Sequence, residues 1–181
     1  MKQMLLILFI GVALTSCNNE EKKTAAETTE TKAATTDAKL PYTLATPYRS
    51  WQIADNNDNT IAAMACLKAF VDKDYTAMSA LMADSIQVRL DGYAAKMSRD
   101  SATKVFTAQR QMYSDLTITM YDYESVISGD KKEEYVTLWY KQAWKDDKGK
   151  ADSLNIVDDC KMKNGKMIEL DEKVQHFPAK N

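Results

Sequence analysis

Between residues 60 and 73, apolar side chains fall at Ile61, Met64, Leu67, Phe70 and Val71. That spacing of three and four gathers them on one side of a helix. The preceding tract DNNDN offers several N-cap candidates, because a short oxygen-bearing side chain satisfies the free amides of a first helical turn. Asp74 is placed to cap a second, shorter helix, YTAMSALMADS, with Tyr75, Met78, Leu81 and Met82 inward. SIQVRL then alternates as a short strand, ended by a turn at Asp91 and Gly92. Ser98 can cap a third helix whose buried face carries Val105, Phe106, Gln109, Met112 and Tyr113.

Beyond Leu116 the period changes to two. LTITMYDYESVIS, EEYVTLWYKQAW, ADSLNIVDDCKM and KMIELDEKVQHF are β-branched and aromatic runs separated by SGDKK, KDDKGK and KNG, which predicts four strands joined by three hairpin turns. Helices gathered ahead of an antiparallel meander cannot serve as crossovers of a parallel sheet, so they must cover one face of a curved one. The expected class is α+β, with three helices packed on a curved, mostly antiparallel sheet in the shape of a cone.

The chain's first residues follow another pattern. Lys2, an apolar run over residues 4–14 and a small-residue approach to Cys17 read as a secretory signal, since a spanning helix needs about 20 apolar residues. Leu14, Thr15, Ser16 and Cys17 resemble the bacterial lipobox, which implies cleavage before Cys17 and lipidation of its thiol. Several acyl chains anchor a protein that does not itself cross the membrane. Asn18, Glu20 and Glu21 look like the acidic export tract of lipoproteins in the Bacteroidetes group, which implies an outer-membrane, lipid-anchored protein of the cell envelope, periplasmic or surface-exposed. Residues 18–40, nearly all Thr, Ala, Lys and Glu, cannot bury enough apolar area to offset chain ordering and read as a flexible linker. The expected division is a signal peptide over 1–17, a linker over 18–40, and a folded domain with an N-terminal arm over 41–181.

Composition narrows the partners. A net charge of −2 in 181 residues, without a Lys/Arg cluster, lacks the electrostatic footprint of a nucleic-acid binder. Past Cys17, Cys66 and Cys160 remain, and they suit buried thiols better than a disulfide, although an oxidising compartment would permit one. G-x-S-x-G, Gly-rich phosphate loops, H-E-x-x-H and C-x-x-C do not occur, so no cofactor and no metal is implied.

The helix pair AFVDKDYTAMSALMADSI before a short strand, and the closing KMKNGKMIELDEKVQHF, resemble the SnoaL-like branch of the nuclear transport factor 2-like superfamily. A family phrase of the type (D/N)-G-K-(I/M)-x-E matches Asn164, Gly165, Lys166, Met167, Ile168 and Glu169. The resemblance covers about residues 55–177. It implies a pocket between helices and sheet and a homodimer through the sheet's outer face. It implies no single activity, since cyclases, isomerases, dehydratases, hydrolases and transport factors share the fold.

Alternation along the strands then picks out candidates. Leu154, Ile156, Asp158, Cys160 and Met162 share one face of their strand, and Ile168, Leu170, Glu172, Val174 and His176 share one face of the next. A three-residue loop at Lys163, Asn164 and Gly165 would bring the two faces together, pairing Cys160 with Ile168, Asp158 with Leu170 and Ile156 with Glu172. Asp158 and Glu172 would then be diagonal neighbours on the apolar side. Two carboxylates there cannot both ionise cheaply, so one can act as general acid or base, or the pair can hold a cation. One strand earlier, Val136, Leu138, Tyr140, Gln142 and Trp144 form the more apolar face. If it lines the cone, Tyr140 and Trp144 join Ile156, Leu170 and His176 as pocket residues, and Tyr135 and Trp139 mark a dimer patch. The reverse assignment stays open. The first expectation is a non-catalytic cone binding a small apolar ligand or a protein partner. The alternatives are a lyase or isomerase using Asp158 or Glu172 as base with a Tyr donating to an oxyanion, and a structural dimerisation module.

Overall fold

The structure is a computed structural model describing residues 41–176. Cys17, the signal segment and the linker lie outside the described residues. One compact unit runs from Leu44 onward. Its elements are β1 (Gln52–Ile53), α1 (Asp58–Asp72), α2 (Tyr75–Ala80), β2 (Met82–Leu90), β3 (Tyr93–Ser98), α3 (Arg99–Gln111), β4 (Ser114–Ile127), β5 (Glu134–Lys145), β6 (Ala151–Lys163) and β7 (Lys166–His176). One sheet of seven strands runs in the order β1-β4-β5-β6-β7-β2-β3. All neighbours are antiparallel except β2 and β7, which run parallel. The three helices and mostly antiparallel sheet are the α+β architecture that the periodicities require.

Local chemistry sets the helix boundaries. Asp74 Oδ1 accepts the Ala77 amide at 2.9 Å and starts α2; Ser98 Oγ accepts the Ser101 amide at 3.3 Å and starts α3. At α1 the cap Asn57 makes no side-chain hydrogen bond, and Asp58 supplies a negative charge in the first turn instead. The buried residues of α1 are the small Thr60, Ala63, Cys66 and Ala69, while Ile61 is 64% exposed. The inward stripe is therefore rotated away from Ile61, because small side chains at three-residue spacing let the helix lie close to its neighbours. In α3 the same correction applies. Ala102, Phe106 and Arg110 are buried, and Met112, at the C-cap, faces water.

Arg110 fills the place that an apolar residue would usually take. Its Nε and Nη2 donate to the Val71 carbonyl at 3.1 and 2.9 Å, and its Nη1 donates to the Tyr113 carbonyl at 2.7 Å. One guanidinium thereby satisfies carbonyls at the ends of two helices.

The β6–β7 hairpin differs from the expected loop. Lys163 pairs with Lys166 across a two-residue turn, with Asn164 at φ 52° and Gly165 at φ 71°, the left-handed pair that a tight hairpin requires. Parity is restored one step later. Met162 pairs with Met167 and Lys161 with Glu169, leaving Ile168 as an extra residue on β7. Past this bulge, Cys160 pairs with Leu170, Asp158 with Glu172, Ile156 with Val174 and Leu154 with His176. The two acids share a face, as alternation suggests, but stand directly opposite each other instead of diagonally.

On β5, Val136, Leu138, Tyr140 and Gln142 are buried, which fixes this face as the interior one. They join Met78, Met82, Ile86, Val88 and Ile156 in the core; full burial of each large aliphatic side chain contributes about 1.5–3 kcal/mol. The opposite face of β5 is partly covered by the chain's own arm. Trp51 meets Tyr135 edge-on with ring centroids 5.6 Å apart, and Arg49 pairs with Glu133 at 3.4 Å. Of the two expected dimer-patch residues, Tyr135 is thus occupied from within the chain.

Candidate functional site

A hollow opens between the helices and the interior face of the sheet. Ala63, Cys66, Leu67 and Phe70 of α1, Met78 of α2, and Phe106 and Gln109 of α3 form its roof. Its floor comes from Leu138, Tyr140 and Gln142 of β5, Asp158 and Cys160 of β6, and Leu170 and Glu172 of β7, with Met82 and Met167 at one side. Its volume is about 60 Å³. One water needs roughly 10–15 Å³, so the hollow has room for a few waters or a small organic molecule.

Asp158 is the polar centre. It is 5% exposed, and its Oδ2 accepts the Tyr140 hydroxyl at 2.8 Å, a diagonal contact between β5 and β6. Its Oδ1 is buried without a hydrogen-bond partner among the described residues. Burial and the facing Glu172 push the Asp158 carboxyl up to about 8, against the pull of the Tyr140 hydrogen bond. Glu172 is raised to about 7 by burial and by the charge of Asp91. Near neutrality the pair therefore shares protons, so it can both donate and accept.

The other titratable groups in the hollow stay protonated. Burial, then Asp158, raises the Tyr140 hydroxyl well above its usual value. Burial, then Asp158, also pushes the Cys66 thiol up to about 12 and the Cys160 thiol well above its ordinary value. Cys66 Sγ donates weakly to the Met78 carbonyl at 3.8 Å, and neither cysteine is in a disulfide. Thiols held neutral in this way are poor nucleophiles. The Tyr140 hydroxyl donates to Asp158 Oδ2, which ties the two polar groups of the floor together.

The sequence candidates separate into two groups. Asp158, Glu172, Tyr140 and Leu170 line the hollow. Ile156 is 2% exposed and packs in the core beyond it. Trp144 lies further along β5, where its ring meets Tyr113 at a centroid distance of 5.0 Å. His176 stands in water at the far end of β7, with Nε2 3.1 Å from Asp91 Oδ2. Sequence reasoning passed over Gln109 and Gln142 as site residues. Their signal was the appearance of an amide at an otherwise apolar periodic position.

No protein-family model and no curated protein matches the chain. Solved structures do match. An LEH-like epoxide hydrolase of Mycobacterium tuberculosis is similar at a TM-score of 0.53 and 10% identity, covering 67% of this chain and 86% of that one. A putative polyketide cyclase of Xanthomonas campestris gives a TM-score of 0.50 at 13% identity, covering 66% and 91%. An NTF2-like protein of unknown function from Exiguobacterium sp. 255-15 gives 0.52 at 14%, covering 63% and 98%. Identities this low speak for the fold alone. This chain has the cone fold of nuclear transport factor 2-like proteins, and proteins with that fold include named enzymes and a protein of unknown function.

Proposed function

We propose that the cone is a binding site for a small, mostly apolar molecule with one polar end, held by Asp158, Glu172 and Tyr140. One observation carries this reading: a buried carboxyl oxygen, Asp158 Oδ1, that borders an apolar hollow and has no hydrogen-bond partner among the described residues. A buried acceptor left unpaired costs about 1–3 kcal/mol, and a ligand's donor would recover that. A second reading draws on the same pair. A carboxyl titrating near neutrality suits a general base, so a lyase or isomerase activity is the alternative.

Both readings meet in one experiment. The methyl resonances of Met78, Met82 and Met167 are followed by NMR while C4–C7 alcohols, amines, acids and cyclopentanone are added in D₂O. Saturable shifts at these three methionines are expected for at least one compound. If none moves them, the ligand-site reading falls. Loss of α-protons from cyclopentanone that is accelerated by the protein and abolished in Asp158→Asn would make the site catalytic.

The sequence supports a location for this cone. We propose that lipidated Cys17 tethers it to the outer membrane through residues 18–40. In bacteria fed a labelled fatty acid, the chain is expected to carry label and sediment with membranes, and Cys17→Ala is expected to do neither. A Cys17→Ala protein that still carries label would end the proposal.

A further inference from the structure

We propose that the ligand of the cone is a small organic cation, a protonated aliphatic amine whose ammonium group sits between Asp158 and Glu172 and whose hydrocarbon part lies against Phe70, Phe106 and Leu138. This rests on the reading of the hollow as a ligand site and assigns the chemical class that it takes.

Charge complementarity carries the assignment. The residues bordering the hollow include two carboxyls and no Lys, Arg or His. Lys173, which acts on Asp158 from a distance, and the cations Arg110 and His176 are each held by other partners. Lys173 lies on the outer side of β7, held by Asp159 at 2.6 Å and Asp171 at 3.2 Å. Arg110 is spent on backbone carbonyls, and His176 on Asp91. The groups that face the pair are Tyr140 from β5, Cys160 from β6, Cys66 from α1 and Tyr113 just after α3, with Asp159 beside Asp158 and Asp91 beyond Glu172 in the β2–β3 turn. None of these is a cation. An anionic ligand would meet repulsion without any compensating cation. A neutral ligand can take a hydrogen bond but does nothing to favour ionisation of the acids. An ammonium group offers donors to both carboxyls and stabilises their ionised forms, which burial in an apolar surround otherwise disfavours.

A metal ion fits this set poorly. Calcium and magnesium take about six or more oxygen ligands, and among the described residues no group of three or more His, Cys, Asp or Glu is placed to hold an ion. The rest of the wall is hydrocarbon, thioether and aromatic ring, which suits an alkyl chain and the face-on approach of a cation to Phe or Tyr. The small volume limits the chain to a few carbons.

Three matched probes test the class in the full-length protein: n-butylammonium, 1-butanol and butyrate, titrated at pH 5.5, 7.0 and 8.5 with the Met78, Met82 and Met167 methyls as reporters. Butylammonium is expected to bind at pH 8.5 at least tenfold more tightly than 1-butanol, with butyrate producing no shift. Its carboxylate partners must be ionised, so its affinity is expected to fall at least tenfold between pH 8.5 and 5.5. Glu172→Gln is expected to weaken butylammonium at least tenfold more than it weakens 1-butanol. Equal or tighter binding of 1-butanol at pH 8.5, or an ammonium affinity that rises as pH falls, overturns the amine assignment and leaves the ligand site standing. Failure of all three probes together with the wider panel removes both.

Discussion

Asp158→Asn is expected to make the fold more stable at pH 8.5, by several kcal/mol, and to remove most of the protein's loss of stability between pH 5 and 8.5. The sign follows from proton counting. A carboxyl that titrates higher in the fold than in the unfolded chain holds a proton there that the unfolded chain has already released. Its contribution is complete below the unfolded value near 4 and disappears as pH rises through about 8. Each unit of difference corresponds to about 1.4 kcal/mol, which places the change for Asp158 on the order of 5 kcal/mol across that window. Asn cannot ionise and can still accept the Tyr140 hydroxyl. Urea midpoints at the two pH values provide the measurement. The wild type is expected to lose several kcal/mol and Asp158→Asn less than half as much, whereas a wild-type curve that stays flat would mean the carboxyl is hydrated.

Arg110→Ala is expected to cost about 3 kcal/mol. The guanidinium makes three hydrogen bonds to the Val71 and Tyr113 carbonyls, and truncation leaves buried acceptors unpaired as well as a void. Arg110→Lys is expected to recover only a small part, because one ammonium cannot reproduce the fork on Val71. A urea midpoint shift worth less than about 1 kcal/mol would show that the end of α1 is held by other contacts. The residue matters to the hollow because Phe70, one position before Val71, forms part of its roof.

The fold was legible because most of its elements announce themselves by period and punctuation. The Asp74 and Ser98 caps and the four long strands lie where alternation and capping chemistry place them. β1 and β3 escaped for a physical reason. A two-residue strand has no period, and YAAKMS is an edge strand with one neighbour, whose exposed and half-buried residues need no apolar face. The depth of α1 was misjudged at Ile61 because side-chain size was taken as a sign of burial, whereas close packing against the sheet selects small residues. In the site, the shared face of Asp158 and Glu172 was readable from alternation, whereas that of Tyr140 was not, because both faces of β5 carry aromatic residues. The direct opposition of the acids was not, because it depends on an unpaired residue that leaves no mark in composition.

That unpaired residue, Ile168, makes the closing hairpin a counting device. The tight turn at Asn164 and Gly165 alone would set the rest of β7 with Glu169, Asp171 and Lys173 facing the helices and Glu172 turned to solvent; the one-residue offset exchanges those two sets. A change of a single residue in length between Lys163 and Glu169 is therefore never local. It replaces an acid pair inside an apolar chamber with a mixed row of charges, while a change of two residues leaves the chamber's chemistry as it was. The tolerance of this protein to insertions near its end is expected to follow odd and even, and not size.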